Sequence, residues 1–212
     1  MTKTRARLIT VEGGDGSGKS TLLARIEQLF KENGTSYLLT REPGGTPVAE
    51  EIRELLLRPR AAGSSMTPLT ELLLYESSRA DHVEKVIRPA LKNGKSVLCD
   101  RFTHSSLAYQ GYARGLGVDL VKRLNEAATQ GLSPDIVIWL KLAPSEARKR
   151  MAARGAKDRL ENEDTSFHES VFKAFETIAR EESSRFIVLD AAQSPDEVFA
   201  QLLAHPLWKQ LI

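Results

Sequence analysis

"RLITVEGGDGSGKSTLLARIEQLF" (residues 7–30) places an apolar run, a glycine-crowded bend and an amphipathic stretch in immediate succession. "RLITVE" (7–12) is short and β-branched-rich, as a buried strand requires. Leu22, Leu23, Ile26, Leu29 and Phe30 recur at helical spacing on one stripe. Between the two, residues 13–20 match G-x-x-x-x-G-K-[ST] through Gly13, Gly18, Lys19 and Ser20. Ordinary residue frequencies produce such a match at roughly one position in 30,000. The glycines let the backbone curl so that successive N–H groups face phosphate oxygens, and the helix beginning near Gly18 adds its positive end. Lys19 is then placed for the β- and γ-phosphates and the Ser20 hydroxyl for Mg²⁺. The stretch Gly13, Gly14, Asp15, Gly16, Ser17, Gly18, Lys19, Ser20 and Thr21 is therefore the expected ATP-binding loop. Asp15 is unusual there, because a carboxylate repels phosphates. It makes sense if it faces a second ligand, for example by accepting a hydrogen bond from a sugar hydroxyl.

Four more strand-like runs follow: "SYLLTR" (36–41), "SVLCDR" (96–101), "DIVIWLKL" (135–142) and "RFIVLDA" (185–191). All are more continuous than alternating, which predicts cover on both faces. Helical segments separate them. "TPLTELLLYESSRADHVEKVIRPALKNG" is long enough for seven turns, with Thr67 as cap, Pro68 at the first position, a stop at Gly94 and a late kink at Pro89. "GVDLVKRLNEAAT", "SEARKRMAAR", "TSFHESVFKAFETIAREES" and "SPDEVFAQLLAH" read as further helices, three of them with Ser or Thr caps. "RPRAAGSSMT" (58–67) reads as a loop. Strands alternating with helices predict an α/β fold: one domain over residues 1–212, a parallel sheet with helices on both faces.

Composition narrows the function. The 212 residues are 41% hydrophobic and 27% charged, with net charge +2 and both signs mixed along the chain. No basic arm or stripe points to nucleic acid. No run approaches a membrane span, and the apolar stretch behind "MTKTRAR" is too short for a signal peptide. The single Cys99 lies inside an expected buried strand, so it reads as core and points weakly to a reducing, cytoplasmic location. The four histidines show no metal-ligand spacing.

Beyond the phosphate loop, Arg41 closes the second expected strand at the edge where open α/β sheets bind ligands, and "CDR" closes the third. Arg41 can fork onto an acceptor phosphate. Asp100 is placed to orient Mg²⁺, directly or through water, and Arg101 to approach the reacting phosphoryl groups. Tyr75 and Arg79, four apart, share a helix face. The run "ARKRMAARGAKDR" (147–159) is rich in cations around Gly155, as suits a lid over a triphosphate.

"VEGGDGSGKST", "TREPGGT", "LLLYESSRADHVEKVIRPAL", "CDRFTHSSLAYQG" and "ARGAKDRLE" occur in the order and spacing of bacterial thymidylate kinases, which the chain resembles from about residue 7 to about residue 195. The resemblance implies a phosphate-loop NTPase fold with a five-stranded parallel sheet, transfer of the γ-phosphoryl of ATP to dTMP, Mg²⁺ as cofactor and a homodimer. It implies that Arg41 and Arg101 meet the dTMP phosphate, with Asp15 close by. Tyr75 stacks on thymine, Arg79 hydrogen-bonds a base carbonyl and Ser106 faces the base edge. Tyr109 excludes a 2′-hydroxyl, and Ser105 and Gln110 complete the pocket. Tyr75 stands where the family has Phe, and Ser78 where an Asp is common, which leaves the partner of Arg79 open. Because Gly16 and Ser17 supply no cation in the loop, the resemblance assigns the catalytic arginine to a lid at about 147–160, where Arg150, Arg154 and Arg159 are candidates. Kinases for dUMP, UMP or CMP, and a nucleotide-dependent switch, are the alternatives.

Overall fold

Each of the five apolar runs forms a strand, within one residue at either end: Leu8–Glu12 (β1), Tyr37–Arg41 (β2), Ser96–Asp100 (β3), Ile136–Lys141 (β4) and Phe186–Asp190 (β5). The computed structural model describes residues 5–59, 65–152, 159–160 and 163–210. All strand pairings are parallel, in the order β2-β3-β1-β4-β5. The direction of the winding reverses at β1. The crevice beyond its carboxyl end, where open α/β sheets bind ligands, holds the phosphate loop.

Helices cover both faces. Ile9, Val11, Leu98, Ile138 and Leu140 pack against Leu22, Ile26 and Phe30 of Lys19–Glu32 (α1). Trp208, with no exposure, stacks on Phe30 at 6.2 Å between centroids. On the other face Val137, Trp139 and Phe186 meet Val171, Phe175 and Ile178 of Thr165–Glu181 (α8), while Leu8, Val97 and Cys99 meet Val83, Ile87 and Ala90. Each full burial of a Val, Leu, Ile or Phe side chain among them stabilises by about 1.5–3 kcal/mol. Among the described residues the remaining α-helices are Pro47–Leu57 (α2), Pro68–His82 (α3), Arg88–Lys92 (α4), Thr103–Ser106 (α5), Val118–Thr129 (α6), Pro144–Ala152 (α7), Pro195–Ala204 (α9) and Pro206–Lys209 (α10).

Several expectations are corrected. Strand β2 lies at a sheet edge with Leu39 40% exposed, and β5 is the opposite edge with Val188 42% exposed; the three inner strands are buried except at Asp100 and Lys141, the last residues of β3 and β4. The long helix starts as expected, Thr67 accepting from the Thr70 N–H, but it does not simply kink at Pro89. It widens into a π-helical stretch, Val83–Ile87, with the Arg88 N–H reaching back to Val83, and so absorbs the donor that Pro89 lacks. Of the three expected Ser or Thr caps only Ser194 is one; α8 is capped by Asp164, and α7 starts at Pro144, ahead of Ser145. Helix α2 was not anticipated, although Thr46 caps it, accepting from the Ala49 N–H at 3.1 Å, and Pro47 opens it. "SSLAYQGYARG" is helical too: α5 runs into a second π-helical stretch, Leu107–Ala113, closed by the Arg114 N–H on the Tyr109 carbonyl. Within 58–67, residues 60–64 lie outside the described residues and the remainder carries no helix or strand.

Candidate active site

The phosphate loop takes its shape from glycines with positive φ. Gly13 (145°), Gly16 (78°) and Gly18 (96°) turn the chain off β1 and into α1. The first bond of α1 is the Leu22 N–H to the Gly18 carbonyl, so the N–H groups of Lys19, Ser20 and Thr21 precede the helix ladder and are available to an anion. Lys19 folds back over the loop, donating to the carbonyls of Gly13 and Gly14 at 3.1 Å each. Burial, and then Arg101, push its ammonium pKa down.

Asp15 stands where two clefts meet. It accepts from Arg101 at 2.8 Å and lies 3.7 Å from Lys19. Burial alone would raise its pKa, but Arg101 and Lys19 outweigh that and hold it at about 2. One cleft, lined by Lys19, Ser20, Arg41, Arg53, Asp100 and Arg101, is the gap in front of the loop. The other is lined by Tyr75, Arg79, Tyr109 and Gln110, with Ser105 and Ser106. Asp15, Glu42, Arg53 and Arg101 line both. Arg101 has φ +68°, an unfavourable conformation for a bulky side chain, and its guanidinium sits 5.5 Å from the Tyr109 ring centroid. Glu12, buried at the end of β1, pins the segment after Arg101 by accepting from the Phe102 N–H (2.8 Å) and Ser105 Oγ (2.6 Å). Cys99 is core, as expected, its thiol donating to the Arg101 carbonyl at 3.1 Å.

The second cleft is walled by a buried polar network centred on Arg79, itself 2% exposed. Its Nε donates to Glu42 (2.8 Å), Nη1 to Glu76 and Asn125 (both 2.7 Å) and Nη2 to Ser106 (3.1 Å). Four of its five N–H groups are thus taken, and the partner left open by Ser78 is identified as these four residues. Ser78 itself accepts from the Gly44 N–H at 3.3 Å. Burial works against the Arg79 charge, but Glu42 and Glu76 outweigh it and raise the pKa. His82 continues the network, bridging Glu42 at 3.1 Å and Thr40 at 2.7 Å. A β-carbon on Gly45 would come within 2.4 Å of the His82 ring, so the turn "EPGG" closes only with glycine there.

The remaining expected residues are distributed differently. Arg41, expected to fork onto an acceptor phosphate, is half exposed and donates through Nη2 to both carboxylate oxygens of Glu50 at 2.9–3.0 Å. Arg53 of α2, which the spacing did not single out, donates to the Pro43 carbonyl and lines both clefts. Its signal was a cation one α2 turn beyond Ala49. Arg150 lines a third cleft, with Gly18, Thr21 and Arg25 on one side and Ala191, Gln193 and Pro195 on the other. Arg159 does not face the loop: it binds Glu71 at 2.6 Å and the Leu56 carbonyl at 2.8 Å, behind Gln110 of the Tyr75 cleft. Arg154 lies outside the described residues.

With this geometry the thymidylate kinase family model matches residues 11–202. The chain belongs to the thymidylate kinase family. It is 47% identical over 196 residues to a thymidylate kinase of a Synechococcus species, covering 92% of each chain. It is also 47% identical over 206 residues to one of Bdellovibrio bacteriovorus, covering 95% of each. A crystal structure of thymidylate kinase from Ehrlichia chaffeensis superimposes with a TM-score of 0.71 at 33% identity, covering 87% of this chain and 92% of that one. The fold is the phosphate-loop NTPase fold of that family. In this thymidylate kinase family member no described helix is long and apolar enough to cross a membrane.

Proposed function

We propose that the chain transfers the γ-phosphoryl group of ATP to dTMP, giving dTDP and ADP, with the roles below. It is an ATP-dependent nucleoside monophosphate kinase of the thymidylate kinase family. The observation that carries the reading is the shared border of two clefts: Asp15, Arg53 and Arg101 line both the gap before the phosphate loop and the cleft of Tyr75 and Arg79. Two nucleotides seated in them meet phosphate to phosphate.

Residues Gly13 to Thr21 hold the donor phosphates through the loop backbone, with Lys19 leaving its carbonyls for the β- and γ-phosphates. The donor base lies in the cleft of Arg150 and Gln193. Arg53, together with Arg41 once it lets go of Glu50, takes the acceptor phosphate, and Arg101 spans both reacting groups. Tyr75 stacks on the base, the fifth N–H of Arg79 donates to a base carbonyl, and Tyr109 closes the sugar position against a 2′-hydroxyl. Ser105 and Ser106 act by holding Arg101 and Arg79. The acceptor phosphate is already a competent nucleophile near pH 7, so no general base is required. Alignment and charge stabilisation supply the rate. The catalytic lid arginine is Arg154 or Arg150, on a lid spanning about 147–160 of one kinase domain.

Ser20 and Asp100 fit a magnesium ion: Asp100 Oδ1 is buried with no hydrogen-bond partner, and Ser20 is exposed at the helix start facing the same cleft. When bound, Mg²⁺ neutralises phosphate charge. We read the protein as cytoplasmic and as a homodimer paired through α2 and α3, where Val48, Leu69 and Leu73 are 44–47% exposed. The deciding assay is ADP release with ATP and Mg²⁺ across dTMP, dUMP, UMP, CMP, AMP and GMP. Turnover led by dTMP supports the reading; strong activity on UMP or CMP removes the base pocket, and release indifferent to acceptor removes the kinase.

A further inference from the structure

Glu71 is 1% exposed and lies on α3, one turn before Tyr75 and two before Arg79. Its carboxylate collects an unusual set of donors. Gln110 Nε2 reaches Oε1 at 2.8 Å. Arg114 reaches both oxygens, Nε at 3.3 Å and Nη2 at 3.2 Å, and Arg159 Nη1 reaches Oε2 at 2.6 Å. Arg114 is itself steadied by Glu163 at 2.6 Å and lies 4.4 Å from the Phe167 ring centroid. The cluster therefore ties α3, the second π-helical stretch, the segment before α8 and the end of α2 into one wall of the cleft.

A carboxylate flanked by two guanidinium groups accepts hydrogen bonds and donates none. Burial pushes the Glu71 pKa up, but Gln110, Arg114 and Arg159 outweigh it and leave it lowered. Gln110 consequently has one orientation. Its amide nitrogen faces Glu71, because a flipped amide would set its carbonyl oxygen against a carboxylate oxygen. Gln110 is 2% exposed, lines the cleft beside Tyr75 and Arg79, and its carbonyl oxygen takes no hydrogen bond from any described residue.

We infer that Glu71 is a positioning residue for base selection: by fixing the Gln110 amide it presents an acceptor to the nucleobase, so the cleft takes a pyrimidine with a ring N–H and rejects one with a bare ring nitrogen. This rests on the reading that the cleft receives the acceptor base. The two polar contacts are then both one-directional. Gln110 offers only an acceptor, and Arg79, with four N–H groups already used, offers only a donor. Thymine and uracil carry the matching N–H and carbonyl. Cytosine carries a lone pair and an amino group at the same edge and mismatches both. A buried polar site discriminates strongly because the wrong base leaves its groups unpaired.

The test is kcat/KM for dTMP and for dCMP in the full-length protein and in Glu71→Gln. The new amide can donate or accept, which frees Gln110 to turn. The dTMP:dCMP preference should shrink at least about tenfold, through loss on dTMP and no loss on dCMP, while Glu71→Asp retains most of the preference. If Glu71→Gln fails to fold, the double variant E71Q/R114Q, which leaves the net charge of the cluster unchanged, is read for the same ratio. A folded variant whose ratio stays within twofold of the unmodified protein overturns the inference alone. An unmodified protein with no preference for dTMP over dCMP overturns the thymine reading and this inference with it.

Discussion

The donor and acceptor sides of the site differ in how far apart along the chain their parts lie. On the donor side, residues 13–22 supply the loop, its lysine and the first helical bond, and Lys19 bonds to carbonyls only five and six positions away. On the acceptor side, Arg79 binds residues 3, 27, 37 and 46 positions away, and Glu71 binds Gln110 39 positions away. The donor side is a local backbone device that folds wherever a strand meets a helix. The acceptor side is a buried ionic network that exists only when the turn after β2, α3, α5, the π-helical stretch after it and α6 have packed. Chemistry and stability are therefore separable on the first side and coupled on the second.

The sharpest way to break this comparison is a pair of charge deletions. Lys19→Met should lower kcat by about a thousandfold or more, since it removes the cation nearest the transferring group. Its melting temperature should hold, because the lysine bonds only to two loop carbonyls, and the half-buried Asp15 beside it keeps its closer partner Arg101. Arg79→Met should instead abolish measurable turnover and destabilise by about 3–5 kcal/mol, because Glu42 and Glu76 stay buried without their partner. Steady-state ADP release and urea denaturation on both variants decide it. A Lys19 variant as unstable as the Arg79 variant would erase the distinction.

A smaller effect sharpens the acceptor side. Arg53→Ala should raise KM for dTMP about tenfold or more, whereas Arg41→Ala, already held by Glu50, should change it only a few-fold. The reverse order would restore Arg41 as the principal phosphate ligand. Smaller again, Arg150→Ala should raise KM for ATP about threefold and leave dTMP binding by calorimetry unaltered, since its cleft lies on the donor side. The smallest effect concerns the junction. Asp15 is held at about 2, below its ordinary 3.8, so its charged form stabilises the fold. That contribution is complete above about pH 4 and fades as pH falls toward 2. Denaturation midpoints at pH 6 and pH 3 should therefore drop less in Asp15→Asn than in the unmodified protein.

The form of the loop between β1 and α1 was legible from Gly13, Gly18, Lys19 and Ser20, because such a loop is specified by nearest neighbours in the chain. Tyr75, Arg79, Ser106, Tyr109 and Gln110 were legible as members of one cleft, yet their division of labour was not. Ser106 holds Arg79, and Ser105 answers to Glu12, because the partners that orient these side chains come from other elements. Arg53 and Glu71 went unnoticed for the same reason: each is an ordinary charge on a helix stripe until the fold seals it against the cleft. Arg159, read as a lid cation from its cluster, is captured by Glu71 of α3, 88 residues upstream.

The order of residues alone determines the strand runs, the phosphate loop, the α/β alternation and the kinship with thymidylate kinases, since periodicity, glycine placement and motif spacing are properties of contiguous chain. Packing decided which strands lie at the edge, where Pro89 is absorbed, which arginine meets which carboxylate and which way the Gln110 amide faces. Those outcomes depend on desolvation and on pairing between groups brought together from 27 to 88 residues apart, and a buried charge acquires its role only from the partners that the fold delivers to it.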